Sequence, residues 1–184
     1  MAIPVWQPGT LYPNGSVVLP TAPIVTNLAA LVNAGFDDGT MSGWDFTVLS
    51  GADAPTMSAL NPYNGAWCVS LQSTGGTTIV EALNDAVPAT DPGAVLSASA
   101  QVRLSFSGLS SGRAILRWYT SGMVEISTTD GPTIQKPGNN SERWVQANVT
   151  GTAPPLAAYV RTGFIMAAGS NGDVRIDGMA WSYV

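Results

Sequence analysis

The segment from Val95 to Phe106 alternates apolar and polar side chains. Ala98, Ala100, Val102, Leu104 and Phe106 fall on one side, and Ser97, Ser99, Gln101, Arg103 and Ser105 on the other. A period of two belongs to an extended chain, whose successive side chains point to opposite faces. One face needs a core and the other needs water, as in antiparallel sheets. Ala114–Thr120 repeats the pattern. Ala114, Leu116 and Trp118 share one face, with Ile115, Arg117 and Tyr119 opposite. The intervening Ser107–Gly112 has the length and glycines of a hairpin loop. Further strands are expected at Asp45–Leu49, Thr56–Leu60, Trp67–Leu71, Thr77–Leu83, Met123–Thr128 and Arg143–Thr150. Two more run from Val160 to Met166 and from Asp173 to Val184, joined by a Gly/Ser/Asn turn. Only Thr26–Val32 carries a weak helix signal. The chain therefore reads as all-β, an antiparallel two-sheet jelly-roll sandwich.

Composition narrows the classes of function. Charged residues make up 10% of the 184, and the net charge is -5. The few cations are scattered, so no basic patch is expected to neutralise nucleic-acid phosphates. There is no histidine, the usual general base and proton shuttle near neutral pH. The single cysteine, Cys68, has no histidine to activate it and reads as a buried free thiol. No Gly-rich phosphate loop precedes a helix, and no apolar run is long enough for a membrane helix. An enzyme is not expected.

Residues 1–32 differ from the remainder. Pro4, Pro8, Pro13, Pro20 and Pro23 interrupt any regular element, and no side chain in the stretch is charged. Trp6, Leu11, Tyr12, Val17, Val18 and Leu19 give it an apolar surface that a solvated linker would lack. The stretch reads as an extended, mostly irregular docking arm for a partner protein, ahead of a domain spanning 33–184. The first residues show neither the charged nor the apolar region of a signal peptide, so synthesis in the cytoplasm is the expectation.

Asn33-Ala34-Gly35-Phe36-Asp37, then Gly43-Trp44 and Gly65–Leu71, resembles the opening of the family 4/9-type carbohydrate-binding modules. Val95–Arg103, Arg143-Trp144 with the following Val149–Pro155, and Asp173–Asp177 resemble later strands of the same modules. The resemblance covers about residues 33–184 and omits the arm. It implies a jelly roll and a structural Ca²⁺ at the equivalents of Asp37 and Asp177, although Asp37 stands where those modules usually have Glu. Paired carboxylates need a cation or donors between them, and oxygen ligands suit calcium; surface carboxylates in turns are the alternative.

A sugar-binding face requires aromatic rings and oriented polar groups. Alternation sends Arg117, Tyr119, Tyr159 and Arg161 away from their core neighbours, and Gln101 and Arg103 also face outward. If these strands share a sheet, they make one polar platform. An ordinary solvated face or a protein contact is the alternative. Trp67, Trp118, Trp144 and Trp181 are expected in the core. A sugar-binding-like fold, an apolar arm and no secretion signal are reconciled by a bacteriophage virion surface protein of head-decoration or cement type. Such a protein would be multicopy or homo-oligomeric, docked to capsid or tail through its arm, with host polysaccharide as a further partner. A tail or fibre receptor-binding component, or a free carbohydrate-binding module of a glycoside hydrolase system, are the competing readings.

Overall fold

The computed structural model describes residues 31–88, 92–104, 110–135 and 143–184. Twelve strands follow one another: β1 (Trp44–Ser50), β2 (Thr56–Ser58), β3 (Cys68–Gln72), β4 (Thr78–Asn84), β5 (Val87–Pro88), β6 (Val95–Leu104), β7 (Ser111–Tyr119), β8 (Glu125–Asp130), β9 (Ile134–Gln135), β10 (Trp144–Thr152), β11 (Tyr159–Ala168) and β12 (Asp173–Tyr183). No helix occurs among the described residues. The strands form two antiparallel sheets. The first runs β1-β4-β11-β7-β8, with β5 on β11 and β9 on β7, and the second runs β10-β6-β12-β3-β2. The chain is an all-β, two-sheet sandwich. The arm residues Trp6, Leu11, Tyr12, Val17, Val18 and Leu19, the weak helix signal before residue 31 and the Ser105–Phe106 end of the first alternation lie outside the described residues.

The alternation in the sequence becomes the division between inside and outside. Along β6, Leu96, Ala98, Ala100, Val102 and Leu104 are buried and the residues between them are half-buried. Trp118, Leu116, Phe164 and Val80 from the first sheet meet Val69, Leu71, Leu96, Val102 and Ile176 from the second in one core. Fully burying such a side chain contributes about 1.5–3 kcal/mol each. The Trp118 indole N–H donates to the Thr129 hydroxyl at 3.0 Å, so this core tryptophan leaves no donor unpaired.

One connection differs from the sequence expectation. Ser107–Gly112 does not close a hairpin, because β6 lies in the second sheet and β7 in the first. The Gly/Ser/Asn turn between β11 and β12 lies where the sequence places it, and it too carries the chain from one sheet to the other. Loop length and glycine content are the same for a hairpin and for an arch between sheets; only the burial of the flanking faces separates them. Both arches are required here, since each joins strands whose apolar faces oppose one another.

The entry loop and the last strand do meet. The Met179 N–H donates to the Ala34 carbonyl at 2.9 Å. Phe36 and Trp44 are buried with ring centroids 5.2 Å apart, sealing that end of the core. Asn33, Gly39 and Gly43 are left-handed in this loop, and so is Phe36 itself, at φ +55°. A bulky residue in this region is rare and is held by its surroundings. Leu31 also packs against the core, ahead of Asn33.

Replacing Phe164 by Ala should cost about 3–5 kcal/mol in denaturant unfolding, as expected for a buried aromatic side chain. The exposed Val48→Ala should stay within about 0.5 kcal/mol of wild type.

Candidate functional site

Strands β7 and β11 lie side by side at the centre of the first sheet, and their register sets the site. Tyr119 is opposite Tyr159, and Arg117 is opposite Arg161. Each of the four alternates with a buried core residue, so all four stand on the outer face of this sheet. Arg117 reaches across β11 to β4, where its Nε and Nη2 donate to Glu81 Oε1 at 2.9 and 2.6 Å. Its Nη1 donates to Glu125 on β8. Arg161 donates from Nη2 to Asp45 Oδ2 on β1 at 2.6 Å and from Nε to the Asn84 carbonyl at 2.7 Å. The outward residue of β11 between Arg161 and Ile165 is Gly163, where a β-carbon would lie 2.3 Å from the Ala82 carbonyl oxygen. A side chain there would need the sheet to shift.

The result is two ion-pair clusters, Arg117 with Glu81 and Glu125 and Arg161 with Asp45, which together touch all five principal strands of the sheet, with two tyrosines at one end. Burial alone disfavours the Arg117 charge, but the hydrogen bonds and charges of Glu81 and Glu125 outweigh it and raise its pKa. Burial also pushes the Tyr119 hydroxyl upward, against the pull of Arg117 and Arg161. Tyr119 therefore stays a neutral O–H donor and acceptor at physiological pH. Fixed guanidinium donors, carboxylate acceptors and phenol rings can hydrogen-bond hydroxyl groups and pack against a flat, weakly polar ring. Glu81, Glu125 and Asp45 were not singled out from the sequence. For Glu81 the signal is its outward phase in the Thr77–Leu83 alternation; for Asp45 and Glu125 nothing in the sequence pairs them with an arginine.

Gln101 and Arg103 do not join this platform. They stand on β6 in the second sheet, so the six-residue face expected from the sequence divides into four and two. Arg103 is opposite Trp144 on β10 and Arg175 on β12. Trp118 is a core residue, and Trp67 and Trp181 pack partly buried against the core. Trp144 departs from its expected place. The inward residues of β10 are Val145, Ala147 and Val149. Trp144 faces outward and packs edge-on against Tyr63, with centroids 5.9 Å apart.

Asp37 and Asp177 come together, as the resemblance implies. Asp37 Oδ2 and Asp177 Oδ1 lie 3.0 and 3.8 Å from the position a Gly35 β-carbon would take. Asp177 is buried, and its Oδ2 accepts the N–H groups of Tyr63 and Asn64 at 2.8 and 3.1 Å. Its Oδ1 accepts the Gly178 N–H at 2.7 Å. Burial pushes this carboxyl above its ordinary range, the three N–H donors pull it down and Asp37 pushes it up again. Calcium takes about six to eight oxygens. The described residues contain no group of three or more His, Cys, Asp or Glu side chains that could hold a metal. Asp37 and Asp177 supply two carboxylates, so a calcium held there would take its remaining oxygens from backbone carbonyls or water, and backbone N–H groups already hold Asp177.

Cys68 is buried, its thiol donates to the Ser58 carbonyl at 3.4 Å, and burial pushes its pKa up to about 11. A cavity of about 370 Å³ lies away from the platform, between residues 51–53 and 74–78. There Asp53 accepts the hydroxyls of Ser73, Thr74 and Thr78, which ties two loops together.

No protein-family model matches the chain, and no curated protein matches its sequence. Solved structures do share the fold. One is the enzymatically active domain of tailspike protein 4 of bacteriophage CBA120, at 12% identity and a TM-score of 0.61. That match covers 84% of this chain but 21% of the tailspike chain, so this chain spans about a fifth of its length. A family 61 carbohydrate-binding module in complex with β-1,4-galactotriose matches at 15% identity and a TM-score of 0.59, covering 84% of this chain and 97% of the module. The C-terminal family 22 module of Clostridium thermocellum xylanase 10B matches at 12% identity and a TM-score of 0.57, covering 85% and 96%. The sandwich is thus the fold of carbohydrate-binding modules.

Asp177→Ala should cost about 1–3 kcal/mol by leaving buried N–H groups unpaired. A calcium linking Asp37 and Asp177 would make the chelator EDTA lower the melting temperature by several degrees, since loss of a bound ligand costs stability; an unchanged value identifies a metal-free turn. The pH dependence has a definite sign. The folded pKa of Asp177 is raised above 3.8, so the native state holds this proton more tightly than the unfolded chain. Its contribution to stability is greatest below 3.8 and falls as pH rises through the folded pKa. The stability of wild type relative to Asp177→Asn, measured by thermal unfolding, should fall as pH rises across that acid range, because the other carboxylates titrate in both proteins.

Proposed function

We propose that the chain is a non-enzymatic carbohydrate-binding protein whose ligand lies across the outer face of β7 and β11. The observation that carries this reading is the register that sets Tyr119 beside Tyr159 and Arg117 beside Arg161 on one face, with both arginines anchored by carboxylates. Anchoring matters because a side chain already held in place loses little freedom when a ligand arrives. The tyrosine rings offer area for a pyranose, and the two ion-pair clusters offer donors and acceptors for its hydroxyls. The fold is compatible, since structures of the same architecture include a module in complex with galactotriose and a xylan-binding domain. Fold alone does not fix a function, so the argument rests on the platform. The motif likeness to family 4/9-type modules points the same way.

Within this reading the protein belongs to a bacteriophage particle. Residues 1–32 dock on capsid or tail protein, the sandwich faces outward in many copies, and host-surface polysaccharide is the ligand. Head decoration or cement is the first form of this proposal, motivated by the uncharged, apolar, proline-rich composition of the arm. A tail or fibre receptor-binding component is the second, favoured by the likeness to a tailspike domain. A free module of a hydrolase system is the third, and it has no use for an apolar arm.

A glycan array should show binding by wild type and at least about tenfold loss in Tyr119→Ala with Tyr159→Ala, as for removal of paired aromatic contacts. An unchanged array in the double variant removes the platform from consideration. For the arm, proteolysis of the isolated chain should cut within residues 1–32, and mixing with its particle should protect them; protection in the isolated monomer would overturn the docking role.

A further inference from the structure

Asp177 is a buried carboxylate outside the platform, and burying one is costly unless it is fully hydrogen-bonded. Two of its three bonds go to Tyr63 and Asn64, 114 and 113 residues away along the chain. What the carboxylate fixes is therefore the loop that carries Tyr63. That loop is bounded by Asn61 at φ +53° and Gly65 at φ +64°, both left-handed. Tyr63 is 52% exposed despite this anchoring. Its ring lies over Gly178, where a β-carbon would sit 3.3 Å from Tyr63 Cδ1 and 3.6 Å from Gln101 Cγ. Gly178 is itself left-handed, at φ +55°, in the bulge that interrupts the pairing of β12 with β6. Only glycine meets both conditions easily. Beyond Gly178 the ring meets Trp144 edge-on at 5.9 Å.

We propose that Tyr63 and Trp144, with Gln101 and its cross-strand neighbour Gln146, form a second carbohydrate-binding surface, on the sheet opposite the platform. The register supports this grouping. Gln146 is opposite Gln101, and Trp144 is opposite Arg103. The two amides stand within one or two residues of the aromatic pair and supply both donors and acceptors, which sugar hydroxyls require. Size selects the occupant. Tyr63 is about half exposed and Trp144 less, so the pair presents less than the roughly 150–250 Å² that each such side chain contributes when buried, far short of the roughly 800 Å² per partner of a stable protein interface. One or two pyranose rings of a neutral polysaccharide match the smaller area. With ligand sites on opposite faces, one molecule can engage two chains or two stretches of one chain, which raises avidity without new contacts at either site.

This surface shares no residue with the platform, so the two are separable. Binding of soluble xylan, galactan and glucan would be measured by affinity electrophoresis on wild type, Tyr63→Ala, Tyr63→Phe, the platform variant Tyr119→Ala with Tyr159→Ala, and the platform variant combined with Tyr63→Ala. Unfolding curves would confirm that each variant is folded. The expected result is residual binding in the platform variant, lost by about tenfold or more when Tyr63→Ala is added, and wild-type binding in Tyr63→Phe. Residual binding that is unchanged by Tyr63→Ala, or complete loss in the platform variant alone, overturns the second surface and leaves the platform reading standing. Full binding in the platform variant with loss in Tyr63→Ala does the reverse. No binding by wild type overturns both.

Discussion

Each long strand of this sandwich must bury every second side chain against the opposite sheet. That constraint organises the remainder of the molecule. Trp118, Leu116, Val160 and Phe164 go inward because the core needs them, and Arg117, Tyr119, Tyr159 and Arg161 are then forced outward by one-residue alternation. A register slip of one residue would place two arginines in the core and two large apolar side chains in water. The outer platform is thus protected by the core: the same hydrophobic energy that holds the sheets together fixes which groups face the solvent and at what spacing.

The constraint also explains how the platform can hold so many charges. Glu81 is among the few buried charged residues, and its partner Arg117 comes from a strand two positions away in the sheet. A buried carboxylate without such a partner would be strongly disfavoured. Towards the margins the balance changes. Asp45 is largely exposed, and its pair with Arg161 is accessible to solvent and salt. The buried cluster therefore fixes geometry, while the exposed pair contributes little to stability.

Much of this was legible in the sequence, because period-two patterning carries both strand identity and facing. Outward Arg117 and Tyr119 and inward Trp118 followed directly from it. The contact between the entry loop and the last strand followed from the motif resemblance. What periodicity does not encode is sheet membership. Gln101 and Arg103 have the same outward phase as Arg117, yet lie on the other side of the sandwich, because the connection before β7 is an arch and not a hairpin. Trp144 was misplaced for a related reason. Its size argued for the core, whereas its phase relative to Ala147 and Val149 sends it out, where Tyr63 shields it. The three N–H donors on Asp177 were invisible because they come from backbone positions that only the folded loop brings together.

Three of the four strands at the margins of the two sheets share a property that bears on crowding. β2 has only three residues, the pairing of β1 shifts register between Val48 and Ser50, and β8 carries Glu125 and Asp130 and shifts register beside Tyr119. Short, irregular and charged borders are poor templates for backbone pairing between molecules. Neighbouring copies packed at high local density would find these three borders poorly suited to extending a sheet from one molecule into the next. Sheet extension is thus discouraged at those three borders and directed to the fourth, β10, whose nine uncharged residues pair with β6 without a break.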